Sequence, residues 1–136
     1  MGARLRTSFL VLILCGFGFS VTAPLVGIAA AALTRSEKGR GRDIVLGADG
    51  SIYVTGVFRG TVDFDPGKGR DQHTAIGGYD VFVTRYAADG SYVGTHTFGR
   101  AGDDQSDGIE VKPDGTVILT GSGKLGAFVE RFRLGA

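Results

Sequence analysis

One short pattern occurs twice and constrains the chain more than any other feature. It is Ala48-Asp49-Gly50-Ser51-Ile52-Tyr53-Val54-Thr55-Gly56, and later Pro113-Asp114-Gly115-Thr116-Val117-Ile118-Leu119-Thr120-Gly121. Each copy reads as a tight turn followed by a strand. Asp-Gly suits the centre of a two-residue hairpin, because glycine takes positive φ without a steric penalty. The residues that follow are β-branched, aromatic or aliphatic and favour an extended chain. The duplication reaches further. Ile44-Val45-Leu46 precedes the first turn and Ile109-Glu110-Val111 the second, while Phe82-Val83-Thr84-Arg85-Tyr86 is matched by Phe128-Val129-Glu130-Arg131-Phe132. A third Asp-Gly pair, Asp89-Gly90, joins residues 81–86 to residues 92–98. One unit therefore reads as four strands linked largely by antiparallel hairpins, and such self-similarity marks a repeat architecture.

The strands are apolar on both sides. Ile52, Tyr53 and Val54 are consecutive, and so are Val117, Ile118 and Leu119. Side chains alternate across a strand, so both faces need cover. Sheet stacked on sheet, as in a propeller, meets that need. A buried helix segment is the competing reading, and the flanking Asp-Gly and Gly argue against it. The second unit supplies three strands, over residues 109–111, 116–120 and 127–134, and Gly135-Ala136 falls where a fourth would begin. The expected fold is all-β, a partial β-propeller with one four-stranded blade plus most of a second. Two blades cannot close a ring of the usual roughly four to eight, and they leave open sheet edges. The expected partners are further propeller repeats, in the same longer chain or by self-association. A fragment of a longer protein ranks ahead of a self-assembling chain or a decayed product, because repeats need neighbours.

The run Gly60-Thr61-Val62-Asp63-Phe64-Asp65-Pro66-Gly67, followed by Gly77-Gly78-Tyr79-Asp80-Val81-Phe82-Val83-Thr84-Arg85-Tyr86, resembles the bacterial SBBP, or seven-bladed β-propeller-type, repeat family. The matching motifs are Tyr53-Val54-Thr55-Gly56, Asp63-Phe64-Asp65-Pro66-Gly67 and Asp80-Val81-Phe82-Val83. The resemblance runs from Arg42 to the C-terminus and is closer in the first unit, since the second lacks the Asp-Pro-Gly loop. It implies a propeller blade in a secreted or surface protein. It implies no catalytic residues, because the family has no single activity.

The N-terminus reads as a targeting segment. Arg4 and Arg6 precede the apolar run that starts Phe9-Leu10-Val11-Leu12-Ile13-Leu14, and Ala30-Ala31-Ala32 offers a small-residue cleavage site. Residues 1–33 are thus a signal peptide, or a membrane anchor if uncleaved, since the run is long enough to span a bilayer. The protein is then secreted or at the cell surface, and meets the membrane only if that segment is retained. Cys15, the only cysteine, lies within it and leaves no disulfide for the exported part. Leu14 stands before it, where a lipoprotein signal wants a small residue. Residues 34–41 read as a linker, 42–106 as the first repeat and 107–136 as the second, truncated repeat. A formal net charge of +1 gives no field toward nucleic acid. The 24 glycines show no three-residue period and so indicate turns, not collagen.

Candidate chemistry is sparse. Residues 58–78 form a long excursion in which Val62 and Phe64 point inward, leaving Asp63 and Asp65 together on the other side. Two carboxylates on one face with backbone carbonyls are a candidate calcium site. They equally serve as turn acceptors. Their spacing also compares with the carboxyl gap of an inverting glycosidase, but spacing alone, without a cleft, is weak evidence. Asp103, Asp104 and Asp107, in the acidic link over residues 99–108, form a second conceivable metal loop. Arg85, repeated as Arg131, reads as a surface or inter-blade charge. His73 and His96 are far apart in sequence, and His96 faces outward from its strand. No Gly-x-Ser-x-Gly, phosphate-loop or His-Glu-x-x-His signature is present. The chain reads as an exported β-propeller-repeat protein of structural or interaction type. The alternative is a fragment of a larger secreted propeller enzyme, a hydrolase or lyase.

Overall fold

A computed structural model describes residues 38–135. The targeting segment, Cys15 and the first residues of the linker lie outside the described residues. Among those described there is no helix; the chain is all-β. Its strands are β1 (Gly39–Leu46), β2 (Ile52–Phe58), β3 (Thr61–Asp63), β4 (Gln72–Thr74), β5 (Asp80–Tyr86), β6 (Tyr92–Phe98), β7 (Asp104–Val111), β8 (Val117–Gly123) and β9 (Gly126–Phe132). They form three antiparallel sheets, β1-β2-β5-β6, β3-β4 and β7-β8-β9, which do not close into a barrel or ring. β1 begins at Gly39, inside the expected linker, and β7 begins at Asp104, inside the expected link.

The duplication holds in three dimensions down to its irregularities. β1 is bulged between Gly41 and Asp43, and β7 is bulged at the matching place, between Ser106 and Gly108. Gly56 stands between Gly41 and Phe82, as Gly121 stands between Ser106 and Phe128. A Cβ on Gly56 would overlap the Arg40 carbonyl oxygen and the Phe82 ring; on Gly121 it would overlap the Gln105 carbonyl oxygen and the Phe128 ring. The glycine closing each Thr-Gly pair is thus the floor on which a neighbouring phenylalanine lies.

The hairpin turns differ from the two-residue form expected of Asp-Gly. Gly47 N–H donates to Ser51 O and Gly50 N–H to Gly47 O, so the loop is Ala48-Asp49-Gly50, three residues long. The same pair of bonds recurs at Ala87–Ser91 and at Lys112–Thr116. Only the glycine takes positive φ, at 80°, 86° and 80° for Gly50, Gly90 and Gly115. A two-residue type I′ turn would need Asp at positive φ as well. Each Asp instead keeps negative φ and accepts the backbone N–H two residues on, at 3.0, 2.9 and 3.0 Å. That bond selects a type I turn closed by a left-handed glycine.

β2 is buried along its whole length, so both sides of the four-stranded sheet are covered. Its front face carries Ile52, Val54, Phe82 and Tyr86, which cluster with Phe58 and Phe64. Its back face carries Tyr53, Val57, Val81 and Val83, which cluster with Val117, Leu119 and Leu134, flanked by Phe128 and Phe132. By strand position, Val117 and Leu119 of β8 match Ile52 and Val54 of β2, and Phe128 and Phe132 match Phe82 and Tyr86. The front face of the second unit therefore packs on the back face of the first. The units stack head to tail, not face to face.

The front face of the first unit is closed by its own excursion. The β3-β4 ribbon folds back over the sheet. Its base, Val62 and Ala75, packs against that core, and Phe64 is inserted at 1% exposure among Phe58 and Phe82. The expected inward pointing of Phe64 is thus observed, with Val62 half-buried. Among the described residues, the back face of the second unit has no such cover. Ile118 is half-buried and Val129 is 69% exposed. The expectation that both faces of that strand run are buried holds for Val117 and Leu119 and fails for Ile118.

Candidate functional site

Two groups of polar side chains lie on this scaffold, one at the seam between the units and one under the ribbon. The seam group centres on Arg85. Its strand, β5, places it on the back face next to Tyr53, and the guanidinium lies 5.7 Å from that ring centroid. It donates to Asp49 Oδ2 at 2.9 Å and to Ser51 Oγ at 3.1 Å within its own unit. Across the seam it donates to Leu134 O at 2.6 Å and Gly135 O at 3.3 Å. Its side chain is 16% exposed. The inter-unit charge expected of this arginine is what the geometry provides: one planar fork fastens two sheets by several donors at once.

The repeat copy does not reproduce the contact. Arg131 holds the matching strand position but is exposed, and it has no hydrogen bond or ion pair among the described residues. Arg133 instead donates to Asp114 Oδ2 at 2.8 Å and Thr116 Oγ1 at 3.3 Å. The backbone N–H of Thr116, then its hydroxyl, and then Arg133 hold Asp114 down to about 2. Ser51 and Arg85 lower Asp49 in the same way. Between the two Asp-Gly turns lies a cleft of about 370 Å³, walled by Tyr53, Arg85, Lys112, Asp114 and Arg133.

The second group ties the ribbon to the sheet. Asp71 Oδ1 meets His73 Nε2 at 3.0 Å, and His73 Nδ1 meets Thr97 Oγ1 at 3.1 Å. The Tyr92 hydroxyl donates to Asp71 Oδ2 and shares a bond with Thr95, which reaches Thr84. Burial, then the Asp71 carboxylate, push the Tyr92 hydroxyl far above its ordinary range. Beside it the Tyr86 hydroxyl is buried with no hydrogen-bond partner among the described residues and is pushed up to about 12, by burial first and the Asp65 charge second. Thr97, whose hydroxyl is paired with His73, also lines a cleft of about 260 Å³ beside Gly99 and Arg100. The network anchors the ribbon at β6.

The carboxylates singled out from sequence serve the backbone. Asp63 Oδ1 accepts the N–H groups of Asp65 and Asp71, at 3.2 and 3.0 Å, and Asp65 Oδ1 accepts Gly67 N–H at 2.7 Å. These bonds shape the loop, and each residue keeps one oxygen that could meet a cation. Asp103 Oδ1 accepts Tyr79 N–H at 2.9 Å, Asp104 Oδ2 accepts Arg100 N–H at 2.8 Å, and Asp107 is exposed at the β7 bulge. Among the described residues, no three His, Cys, Asp or Glu side chains converge as a metal-holding group. His96 is exposed as expected, but it also stacks on Phe132 at 4.8 Å. Its ring is partly desolvated between Phe98 and Phe132, which is the main cause that lowers its pKa, with the charge of His73 second.

Sequence reasoning missed a recurring device. Asp80 and Asp104 each open a strand and accept the N–H four residues back, from Ile76 and Arg100. Both are buried, and Asp80 Oδ1 has no hydrogen-bond partner among the described residues. Burial raises Asp80, and the Asp104 charge adds to the rise. The signal was present: an Asp directly before a strand, behind Gly77-Gly78 in one case and Gly102 in the other. Asp71, Tyr92 and Arg133 had no comparable signal. Comparison of the chain with protein-family models, with curated proteins and with solved structures gives no match in any of the three.

Proposed function

We propose that this chain is an exported β-propeller-repeat module of structural or interaction type, similar to the SBBP repeats. In this reading β1-β2-β5-β6 is one blade and β7-β8-β9 is most of a second, with residues 1–33 directing export to the surface or the medium. One observation carries the reading: two units, equivalent to the bulge, stack front on back with a shared apolar seam. That front-on-back relation is the one by which blade follows blade around a propeller. Arg85 ties the two sheets together and the Tyr92–Asp71 bond ties the ribbon to β6, which supports a scaffold.

Expression of the tagged full chain in a Gram-negative host tests it. The protein should be recovered outside the cytoplasm, and deletion of residues 9–14 should strand it inside. The exported form should unfold in one transition that Leu119→Asp weakens across both units, because Leu119 is fully buried in the seam. Cytoplasmic retention of the intact chain refutes export. Separate unfolding of the two sheets refutes the module.

A further inference from the structure

We propose that Thr97, His73 and Asp71 act as nucleophile, general base and positioning carboxylate in the hydrolysis of small neutral carboxylic esters, at the open edge of the first sheet. This activity is independent of the module reading above.

The proton positions follow from the partners. Asp71 Oδ1 lies 3.0 Å from His73 Nε2, and His73 Nδ1 lies 3.1 Å from Thr97 Oγ1. A carboxylate only accepts, so Nε2 carries the imidazole proton. In the neutral ring Nδ1 is then an acceptor, and the Thr97 hydroxyl is the donor that meets it. A hydroxyl donating to an imidazole that a carboxylate orients is the arrangement that activates an oxygen nucleophile. Base and carboxylate are both held. Asp71 Oδ2 accepts the Tyr92 hydroxyl, Asp71 N–H donates to Asp63 Oδ1 at 3.0 Å, and the His73 ring stands edge-on to Phe64 at 5.6 Å.

The group is assembled from two elements. The ribbon brings Asp71 and His73 to the sheet, and β6 brings Thr97. β6 is the last strand of its sheet and Thr97 is half-buried, so a ligand reaches it from the side. There Thr97 shares its cleft of about 260 Å³ with Ile76, Phe98, Arg100 and Phe128, which suits a small ester with an apolar acyl group. The carboxylates of Asp104 and Glu130 also line it and disfavour an acidic substrate. The Arg100 side chain has no ion pair among the described residues. It is the cation available to the carbonyl oxygen as negative charge develops there. The second unit has the same sheet plan without the ribbon, so the pair of units carries one such group.

The chemistry is acyl transfer. Thr97 Oγ1 bonds to the ester carbonyl carbon while its proton passes to His73 Nδ1, which leaves an imidazolium paired with Asp71. The bond from that carbon to the alkoxy oxygen breaks, and the proton departs with the alcohol. Water then gives its proton to His73 and its oxygen to the acyl carbon, which releases the acid and restores the hydroxyl.

The full chain serves for the test. Diisopropyl fluorophosphate should label Thr97, with fluoride leaving as phosphorus bonds to Oγ1, and mass spectrometry of a digest reads the position. p-Nitrophenyl acetate should be hydrolysed, and Thr97→Val, which keeps the side-chain shape, should lose about 100-fold or more in kcat. Thr97→Ser should retain both labelling and turnover. Asp71→Asn should lower kcat with KM unchanged, a split that loss of a purely structural contact would not produce. Absence of label or of turnover, a label elsewhere, or equal hydrolysis by the unaltered chain and Thr97→Val overturns the proposal. If Thr97→Val does not fold, the labelled position in the unaltered chain and the Thr97→Ser result decide.

Discussion

Removing the Phe64 ring asks whether the ribbon is part of the core or a loop resting on it. The ring sits 5.2 Å edge-on from Phe58, 5.0 Å from Phe82 and 5.6 Å from His73, and the residue is 1% exposed. Full burial of a phenylalanine stabilises by about 1.5–3 kcal/mol, and aromatic pairing adds about 0.5–1.5 kcal/mol. With the cavity left behind, Phe64→Ala is expected to cost ~3–4 kcal/mol, inside the usual range for such truncations. A domain of this size has about 5–15 kcal/mol in all, so the loss is a large share. Equilibrium urea unfolding followed by far-UV circular dichroism measures it. An unchanged m-value with a lower midpoint means the ribbon stays seated over a hole. A reduced m-value means it has lifted and left Ile52, Val54 and Phe82 wet before global unfolding. Phe64→Leu keeps most of the volume and should cost only about 1 kcal/mol. A loss below about 1 kcal/mol for the alanine variant, at constant m, would show that the ribbon is not a cap.

Other outcomes follow from the same contacts. Gly56→Ala and Gly121→Ala should each destabilise by about 1–3 kcal/mol through overpacking, whereas Gly94→Ala, with nothing within 4 Å of its Cβ, should be neutral in the same melt. Arg85→Met should lower the midpoint by more than Arg133→Met, because Arg85 spans the seam at 16% exposure while Arg133 is 64% exposed; equal shifts would contradict the fastening role. Asp49, Asp89 and Asp114 are all held below the ordinary carboxylate range, Asp114 at about 2. Their folded forms bind fewer protons than the unfolded chain, so their contribution is present above about pH 4 and is lost as the pH falls toward 2. An acid titration of stability should show this decline, and Asp114→Asn should make it shallower. Asp80 has the opposite sign, since its raised pKa makes protonation favour the fold. Asp80→Asn should therefore cost less than Asp80→Ala, which also strips the acceptor from Ile76 N–H.

Much of the architecture was legible because repetition is visible without any geometry. The strands after Asp49-Gly50 and Asp114-Gly115, the hairpin at Asp89-Gly90 and the need to cover both sides of residues 52–54 all rest on local pattern and period. The turn type was not legible, because Asp-Gly satisfies two loop lengths and only the Asp carboxylate bond to the N–H two residues on decides between them. The ribbon was legible as an excursion but not as a lid. Nothing in its sequence says that Phe64 reaches Phe82, since that contact depends on how the loop folds back. Arg85 was legible as a repeated charge, yet the match to Arg131 misleads, because Arg133 takes the contact two residues further on. The His73–Asp71–Tyr92 chain joins residues from β4, a loop and β6, and no spacing announces it.

Near-identical halves in one chain invite the wrong strand to dock, for β1 and β7 share length, bulge and partner register. Their charges differ: β1 carries Arg40, Arg42 and Asp43, and β7 carries Asp104, Asp107 and Glu110. Val45 rests against the seam cluster, and its counterpart Glu110 lies exposed. If β7 took the berth of β1, the Glu110 carboxylate would enter the apolar row beside Tyr53, where desolvation opposes it even with Arg85 over that ring. Each strand thus carries its own address, written in the arginines of β1 and the acidic residues of β7.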